Sequence, residues 1–264
     1  MTDEEMRNVP DDVNAGSGVP DADTRILVHG VTKRFTLRHS RSLKELVVWT
    51  LRGRKESLTN EFVALTDVSI RINHGETVAL LGLNGSGKST LLKLISGVMR
   101  PDDGQVLVRG NIAGLIEVGA GFHPDLTGRE NVYLNGAILG MTEQQLDGRF
   151  DDIVAFSEIA EFIDTEVKFY SSGMFLRLAF AVAVHTEPDI FLVDEILAVG
   201  DEPFQHKCLA KIRELNAAGH ALVIVSHDLD MVAKLCDRGI LLEHGKVIVD
   251  GPVDTAVAEM RARF

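Results

Sequence analysis

The amino-acid sequence predicts an α/β fold built on a parallel β-sheet. Short apolar runs typical of buried strands, at residues 76–83, 189–195 and 221–228, alternate with longer segments of helical periodicity. A glycine-rich turn joins the first of these strands to a helix, and charged residues follow the other two. Because open α/β sheets bind ligands beyond the carboxyl ends of their strands, the same observations predict where a functional site lies.

The composition is that of an ordinary folded protein and argues against several classes. Of the 264 residues, 45% are hydrophobic and 25% are charged. No apolar run approaches the roughly 18 residues of a membrane-spanning helix, and no basic, apolar leader begins the chain, so we expect a cytosolic protein. The net charge of −12 argues against nucleic-acid binding. Cys208 and Cys236 suit a reducing compartment and are interpreted as small core residues.

The first part of the chain predicts a tail, two strands and a basic helix. Residues 1–24 contain seven acidic side chains and are predicted to be disordered. Residues 25–35 and 64–72 are typical of strands. Between them, residues 42–52 form an amphipathic helical pattern that includes Trp49 and basic flanks. This helix either lies at a membrane surface or packs on its own domain.

The middle and final parts predict the rest of the sheet and a helical insertion. A helix follows the strand at 76–83 and stops at Gly97, and residues 104–110 add a short strand. Residues 125–165 have a more polar, helical pattern, which predicts an inserted helical subdomain from about residue 124 to about residue 177. Later elements are a helix at 203–219 between two buried strands, a hairpin at 239–251, and a short helix at 252–264 opened by Pro252.

The glycine-rich turn, GLNGSGKST at residues 82–90, matches the phosphate-binding pattern G-x-x-x-x-G-K-[ST] between a strand and a helix. Backbone N–H groups of such a loop turn toward phosphate oxygens, and the helix start adds its dipole. Lys88 is predicted to reach the β- and γ-phosphates and Ser89 to ligate Mg²⁺. The other candidate nucleotide-binding residues are Asn84, Gly85, Ser86, Gly87 and Thr90. A flexible Gly/Ser turn is the alternative, which the flanking strand and helix disfavour.

Charged residues at two strand ends are the candidate chemical groups. Asp194 ends an apolar run where a Mg²⁺-binding aspartate is expected, and Glu195 is placed to polarise the attacking water. Strands also end in charges simply because they reach solvent. His227 follows another buried strand and could bond the γ-phosphate. Alternatively it is a residue at a helix start, with Ser226 or Asp228 as the cap.

A further helix start, YSSGM at residues 170–174, precedes an almost wholly apolar run. Locally, Ser171 or Ser172 is an ordinary N-cap, and the helix behind it belongs to a core. Its first N–H groups could instead hold a charged ligand. Nothing within this stretch decides between the two interpretations.

These motifs, in this order, resemble the ATP-binding-cassette (ABC) ATPases over residues 25–251. The resemblance implies a RecA-like P-loop core with a parallel sheet, an antiparallel β subdomain and a helical subdomain. YSSGM takes the place of the family's LSGGQ signature and keeps Ser171 and Gly173. Asp201, in DEILAVGD, takes the place of the aspartate that contacts a second subunit. Phe35 takes the place of an aromatic that stacks on adenine, although a core role suits it as well.

Where the chain departs from the general family pattern, it resembles ATPases that export polysaccharides. No glutamine lies between Asn111 and Gly128, and whether Glu117 replaces the usual one as a Mg²⁺ contact is left open. YSSGM, the stretch at 114–141 and the insertion at 37–53 are similar to exporters of O-antigen, capsule and teichoic acid. That likeness implies transport of a lipid-linked glycan, of which cell-wall galactan is one example. We expect no carbohydrate-binding domain after residue 251.

The implied mechanism is a head-to-tail dimer that closes two ATP molecules, with Mg²⁺, between two copies of this chain. An integral membrane permease would be a separate partner and would hold the ATPase at the cytoplasmic face of the membrane. A soluble ABC ATPase acting on DNA or ribosomes is disfavoured by the single cassette and the acidic charge. A small-metabolite kinase explains the phosphate loop but not the later motifs. An ABC exporter of another substrate stays open.

Overall fold

Two β-sheets form the framework of the molecule, seen in a computed structural model that describes residues 20–38, 59–114, 121–194 and 201–263. Residues 1–19 of the predicted amino-terminal tail, the predicted helix at 42–52 and most of the insertion at 37–53 lie outside the described residues. The last residue of the predicted tail, Thr24, is instead the first of β1.

The smaller sheet is antiparallel and is formed by the predicted strands near the amino terminus. It has the order β2-β1-β4, with β1 at Thr24–Arg38, β2 at Thr59–Asn73 and β4 at Asp103–Val108. Both long strands extend beyond the predicted ranges because their pairing continues to Arg38 opposite Thr59. Alternate residues such as Val68, Ile70 and Ile72 are buried, as the sequence pattern predicts.

The larger sheet contains the strand ends that the sequence singled out. Within the described residues its order is β5-β6-β7-β3-β8-β9, parallel from β5 to β8, with β9 antiparallel to β8. Its strands are β3 Thr77–Leu81, β5 Ile112–Gly114, β6 Ile190–Asp194, β7 Ala221–Val225, β8 Arg238–Glu243 and β9 Lys246–Pro252. The predicted parallel sheet and terminal hairpin are therefore confirmed.

Helices cover the larger sheet and form a separate cluster beside it. They are α1 Lys88–Ile95, α2 Gly128–Ile138, α3 Glu143–Ser157, α4 Ser172–His185, α5 Glu202–Ala217, α6 Leu229–Leu235 and α7 Val253–Arg261. Short 3₁₀ turns occupy Ala160–Phe162 and Val167–Phe169. Thr127 and Thr142 are the N-caps of α2 and α3, and each forms a capping box. The threonine side chain accepts from the N–H three residues later, and the Glu or Gln side chain at that position accepts from the threonine N–H.

Helix α4 connects the helical region to the main core. Its buried Leu178 and Val182 pack with α2 and α3, whereas Phe180 and Val184 pack against the larger sheet. The apolar core predicted for this helix is confirmed. One continuous helix therefore packs against both the helical region and the larger sheet.

Two smaller expectations concern the carboxyl-terminal half. Cys208 and Cys236 are buried core residues, and burial raises the pKa of each thiol to about 12. Pro252 ends β9 and is the N-cap of α7, so it stands directly before the helix that it was predicted to open. Across the described residues, no helix has both the length and the apolar character needed to cross a bilayer.

Candidate functional site

The phosphate loop leaves β3 and enters α1 through backbone conformations that favour glycine. Gly85 and Gly87 have φ angles of +79° and +109°. A Cβ at Gly87 would lie 2.7 Å from Leu65 Cδ2 and 2.8 Å from the Ala64 carbonyl oxygen. At Gly85, by contrast, no described atom would lie within 4 Å of a Cβ. The loop is therefore packed tightly on one side and open on the other, as a phosphate cradle requires.

Lys88 lies inside this loop and bonds its backbone. The residue is 9% exposed, and its Nζ donates to the carbonyl oxygens of Gly82, at 2.7 Å, and Leu83, at 3.2 Å. Backbone carbonyls of the loop thus hold the ammonium group inside the loop. Gly87 is the N-cap of α1, and no described side chain caps that helix, so its first N–H groups point toward the loop without a side-chain acceptor.

The turn between β8 and β9 supports the loop from behind. Gly245 N–H donates to the Ser86 carbonyl at 3.0 Å, and the Gly245 carbonyl accepts from Thr66 N–H at 2.8 Å. A Cβ at Gly245 would lie 2.5 Å from the Ala64 carbonyl oxygen. One glycine therefore links the phosphate loop to β2. The sequence predicted the hairpin but not this contact, because the two segments are far apart in the chain.

Sheet order brings the predicted strand-end residues to the edge where the loop begins. β7 lies between β6 and β3, and Asp194 at the end of β6 pairs with Val225 at the end of β7. His227 follows β7 by two residues and is exposed. Asp228, not Ser226, is the N-cap of α6 and accepts from Met231 N–H at 2.9 Å. The structure thus places Asp194 and His227 at the carboxyl edge of neighbouring strands.

Some predicted site residues are not described in enough detail to test. Glu117 and Glu195 lie outside the described residues, as does the side chain of Asp194. Their roles as Mg²⁺ contact, general base and Mg²⁺ ligand stay predictions. Ser89 is exposed and Thr90 half-buried at the start of α1, which leaves both accessible from the open side of the loop.

The helix start at residues 170–174 is an N-cap with open space around it. Ser171 is the cap of α4, and its Oγ accepts from Met174 N–H at 3.2 Å. Ser171 and Ser172 are exposed, and a Cβ at Gly173 would meet only Ser171 Oγ, at 3.8 Å, among described atoms. The local N-cap prediction is confirmed for Ser171, and the surface beside it has room for a ligand.

Tyr170 holds this helix start to the rest of the helical region. Its Oη donates to the Phe162 carbonyl at 2.7 Å. A Cβ at Gly128 would lie 2.1 Å from the Tyr170 Oη, so only glycine fits there beside the tyrosine. Burial, with a smaller effect from the Asp164 carboxylate, raises the pKa of Tyr170 to about 12.

Asp201 is tied to the same helix by an arginine that the sequence reasoning missed. Asp201 is the N-cap of α5, and its Oδ1 accepts from Arg177 Nη2 at 2.7 Å. Arg177 also donates to Glu158 at 2.9 Å, and its guanidinium lies 4.7 Å from the Phe204 ring centroid. This network links α4 to the start of α5. One sequence feature points to this network: Arg177 follows Ser171 by six residues on the same predicted helix.

Strand pairing sets Phe35 opposite a second aromatic residue. Phe35 on β1 pairs directly with Phe62 on β2. A cleft of about 190 Å³ lies next to the phosphate loop, lined by Phe62, Ala64 and residues 84–90. Phe35, Ser171 and Gly173 are not among its described lining residues. The sequence missed Phe62 because strand pairing, not spacing in the chain, puts it there.

Comparison with known proteins identifies the class that this fold and site define. The family model described as ABC transporter matches residues 65–198, and the chain belongs to that family of ATP-binding subunits. The fold is shared with solved cassettes: a dimeric bacterial ABC transporter cassette superposes with a TM-score of 0.68 at 25% identity, covering 86% of this chain and 98% of that one. The predicted fold class and ATPase activity are confirmed.

Two curated relatives make the likeness more particular. The chain is 45% identical over 92% of its length to the O-antigen export system ATP-binding protein RfbB of Myxococcus xanthus, and spans 57% of that protein. It is 41% identical over 90% of its length to the teichoic acids export ATP-binding protein TagH of Levilactobacillus brevis, and spans 64% of that protein. The sequence-based resemblance to the polysaccharide-exporter type is confirmed.

Proposed function

We propose that this chain is the ATP-hydrolysing subunit of an ABC exporter that moves a lipid-linked polysaccharide across the cytoplasmic membrane. The glycan would be of the O-antigen, teichoic-acid or cell-wall galactan type. Two relatives that cover at least nine-tenths of the chain are named as export ATP-binding proteins for such polymers, which supports this substrate class. The observation that carries the ATPase function is the phosphate loop with Lys88 held at its centre.

ATP binding would use the open side of this loop. The N–H groups of Asn84 to Thr90 would surround the phosphates, and Lys88 would exchange its two carbonyl partners for phosphate oxygens. Ser89 and Asp194 would hold Mg²⁺, which would neutralise charge on the β- and γ-phosphates; the hydroxyl and carboxylate donors suit that hard cation. Glu195 would accept a proton from the attacking water, and His227 would bond the γ-phosphate.

The second copy of the chain would complete the site. Ser171 is exposed and Gly173 is partly exposed at the start of α4, where the first backbone N–H groups of a helix have no partner within the helix. In a head-to-tail dimer they would contact the γ-phosphate held by the other copy's Lys88, with Asp201 near the dimer interface. The solved dimeric cassette of the same fold supports this assembly. Hydrolysis would remove the shared γ-phosphate contacts and reopen the dimer.

A membrane permease would be the other partner, and it would hold this subunit at the cytoplasmic face of the membrane. The names of the relatives as components of export systems support such an arrangement. Two parts of the chain would lie closest to that partner. They are the segment at 42–52, predicted from its sequence to lie at the membrane surface, and Glu117, in the region of the usual glutamine.

The first test measures ATP hydrolysis by the purified chain with no phosphate acceptor present. We expect phosphate release that disappears in Glu195→Gln, because the carboxamide cannot accept the proton. Hydrolysis retained in that variant would overturn Glu195 as the base, and a strict requirement for an acceptor would indicate a kinase.

The second test addresses the transported substrate. The chain would be co-purified with the multi-span membrane protein encoded beside it and reconstituted in vesicles. Stimulation of ATPase activity by undecaprenyl- or decaprenyl-linked glycans, and not by the free lipid carriers, is the expected result. No stimulation by any lipid-linked glycan would point to an exporter of another substrate.

A further inference from the structure

An arginine just after α7 is paired with the hairpin turn that supports the phosphate loop. Arg263 Nε donates to Glu243 Oε1 at 3.0 Å, and Glu243 is the last residue of β8, where the turn begins. We propose that Arg263 is a positioning residue: through Glu243 and the turn it keeps the phosphate loop in the shape that binds the phosphates of a nucleotide. The inference rests on the proposed function, because it requires the loop to bind phosphates.

Two contacts join the end of this hairpin to the loop. A Cβ at Gly82 would lie 2.4 Å from the Leu242 carbonyl oxygen, so the first residue of the loop packs tightly on the end of β8. Further along the loop, the Ser86 carbonyl accepts from Gly245 N–H at 3.0 Å. The Gly82 carbonyl is also an acceptor of Lys88 Nζ. A shift of the hairpin would therefore displace both the loop backbone and a partner of its ammonium group.

The turn has a backbone conformation that needs support. His244 and Gly245 both have positive φ angles, +46° and +76°, as in the type I′ turns that close many hairpins. Glycine adopts such angles freely, whereas a left-handed histidine stores strain that persists only where neighbouring contacts hold it. Glu243 directly precedes the histidine. Its ion pair with Arg263 therefore acts on the residue next to the strained position.

Among the described residues, α7 and the phosphate loop leave a cavity between them. It has a volume of about 120 Å³ and is lined by residues 83–86, residues 241–244, Met260 and Arg263. Atoms beside such a space lack the packing contacts that would otherwise resist displacement. We therefore expect the end of α7 to act on the loop through the Arg263 side chain and the turn.

Arg263 is itself fixed in place on the helix side. Its Nη1 donates to the Glu259 carbonyl oxygen at 2.5 Å and to the Glu259 carboxylate at 2.8 Å. The Arg263 side chain is 26% exposed. A guanidinium presents several donors in a rigid plane, so one arginine can bond two elements at once. Arg263 thus connects the last turn of α7 to the end of β8.

The test compares two arginines at the same helix end. Arg263→Gln removes the ion pair with β8, whereas Arg261→Gln, the matched control, removes an ion pair of 2.5 Å with Asp230 on α6. We expect only Arg263→Gln to weaken the binding of Mg·ADP and Mg·pyrophosphate, by about threefold to fivefold, the range that one partly exposed ion pair can supply. Both ligands should be affected equally, because the loop contacts phosphates. Thermal unfolding of each variant gives the stability that it loses.

A double-mutant cycle tests the route through Glu243. Glu243→Gln should weaken pyrophosphate binding as much as Arg263→Gln does. The double variant should bind no more weakly than either single variant, because all three lack the same interaction. Additive losses would overturn the role of Glu243 as the link between Arg263 and the loop.

Amide hydrogen exchange measures the turn itself. In Arg263→Gln, the Gly245 N–H should exchange faster than in the parent and in Arg261→Gln, because its bond to the Ser86 carbonyl opens more often. Unchanged exchange with unchanged pyrophosphate affinity would overturn the proposal. Equal weakening of ligand binding by the two arginine variants would also overturn it, since the cause would then be the stability of α7. A parent protein that bound neither ligand would instead contradict the proposed function.

Discussion

The two parts of the predicted ATP site differ in how far one chain completes them. The phosphate half-site, residues 82–90, is packed against β2 and the Gly245 turn, and its Lys88 is 9% exposed and bonded to two loop carbonyls. The signature half-site, residues 170–174, contains two exposed serines and a glycine that has open space beside it. We infer that one chain forms the first half-site by itself, whereas the second depends on another copy for its ligand.

The largest expected effect comes from removing the central cation of the phosphate half-site. Lys88→Ala should lower ATPase activity by about 100-fold or more, since it removes a charged donor to the transferring phosphate. Phosphate release and Mg·ATP affinity are the measurements. Lys234→Ala, on the exposed surface of α6, is the control and should behave as the parent. Undiminished hydrolysis in Lys88→Ala would contradict the assignment of this loop as the half-site that binds the phosphates.

Changing the signature half-site should affect assembly and leave nucleotide binding by the single chain intact. Ser171→Asp keeps an N-cap, because aspartate caps helices as well as serine does. Its carboxylate would face the γ-phosphate of the other copy, and like charges in contact cost several kcal/mol, so ATP-driven dimerisation should weaken about tenfold or more.

The readouts for Ser171→Asp are sedimentation with ATP and Mg·ADP affinity. Thr142→Asp makes the same kind of substitution at the N-cap of α3 and should dimerise normally. Equal loss of dimerisation in both variants would attribute the effect to general instability of the helical region.

An effect of intermediate size on stability should separate steric crowding from backbone strain at the glycine that supports the phosphate half-site. Gly245 and Gly97 share a φ of +76°, but only at Gly245 would a Cβ clash, 2.5 Å from the Ala64 carbonyl oxygen. Gly245→Ala should therefore lower the free energy of unfolding by about 1–3 kcal/mol more than Gly97→Ala. Chemical denaturation measures both. Equal losses would mean that the hairpin turn does not constrain the loop.

The smallest effect concerns the support of the signature half-site. Tyr170→Phe removes the bond to the Phe162 carbonyl and should cost about 1 kcal/mol of stability at neutral pH. Burial raises the pKa of this phenol from 10.0 to about 12. The unfolded state therefore loses its proton first, and this contribution to stability is present below pH 10 and lost as the pH rises toward 12.

Alkaline unfolding measures the Tyr170 contribution. Between pH 10 and 12 the parent should lose stability more steeply than Tyr170→Phe. Cys208 and Cys236, whose thiols also have raised pKa values, are present in both proteins and so cancel in the difference. Identical slopes would show that the phenol does not hold this helix start.

Local pattern was enough to predict much of the fold and one half of the site. Alternating and continuous apolar runs identified the strands, and the spacing of Gly82, Gly87 and Lys88 identified the loop. Contacts between distant segments were beyond such reasoning. Arg177 with Asp201, and Phe62 with the loop, depend on strand order and helix packing, which no local window contains. Ser171 was predictable as a cap, but its exposure required the fold.

The most direct test of the two-half-site account mixes two variants that are each impaired in one half-site. Lys88→Ala lacks a working phosphate half-site, and Ser171→Asp lacks a working signature half-site. A head-to-tail dimer with one copy of each contains one composite site in which both halves are intact. ATPase activity, which is lowered in each variant alone, should therefore rise when equal amounts are mixed before ATP is added. No recovery, with both variants folded, would contradict a site shared between two copies.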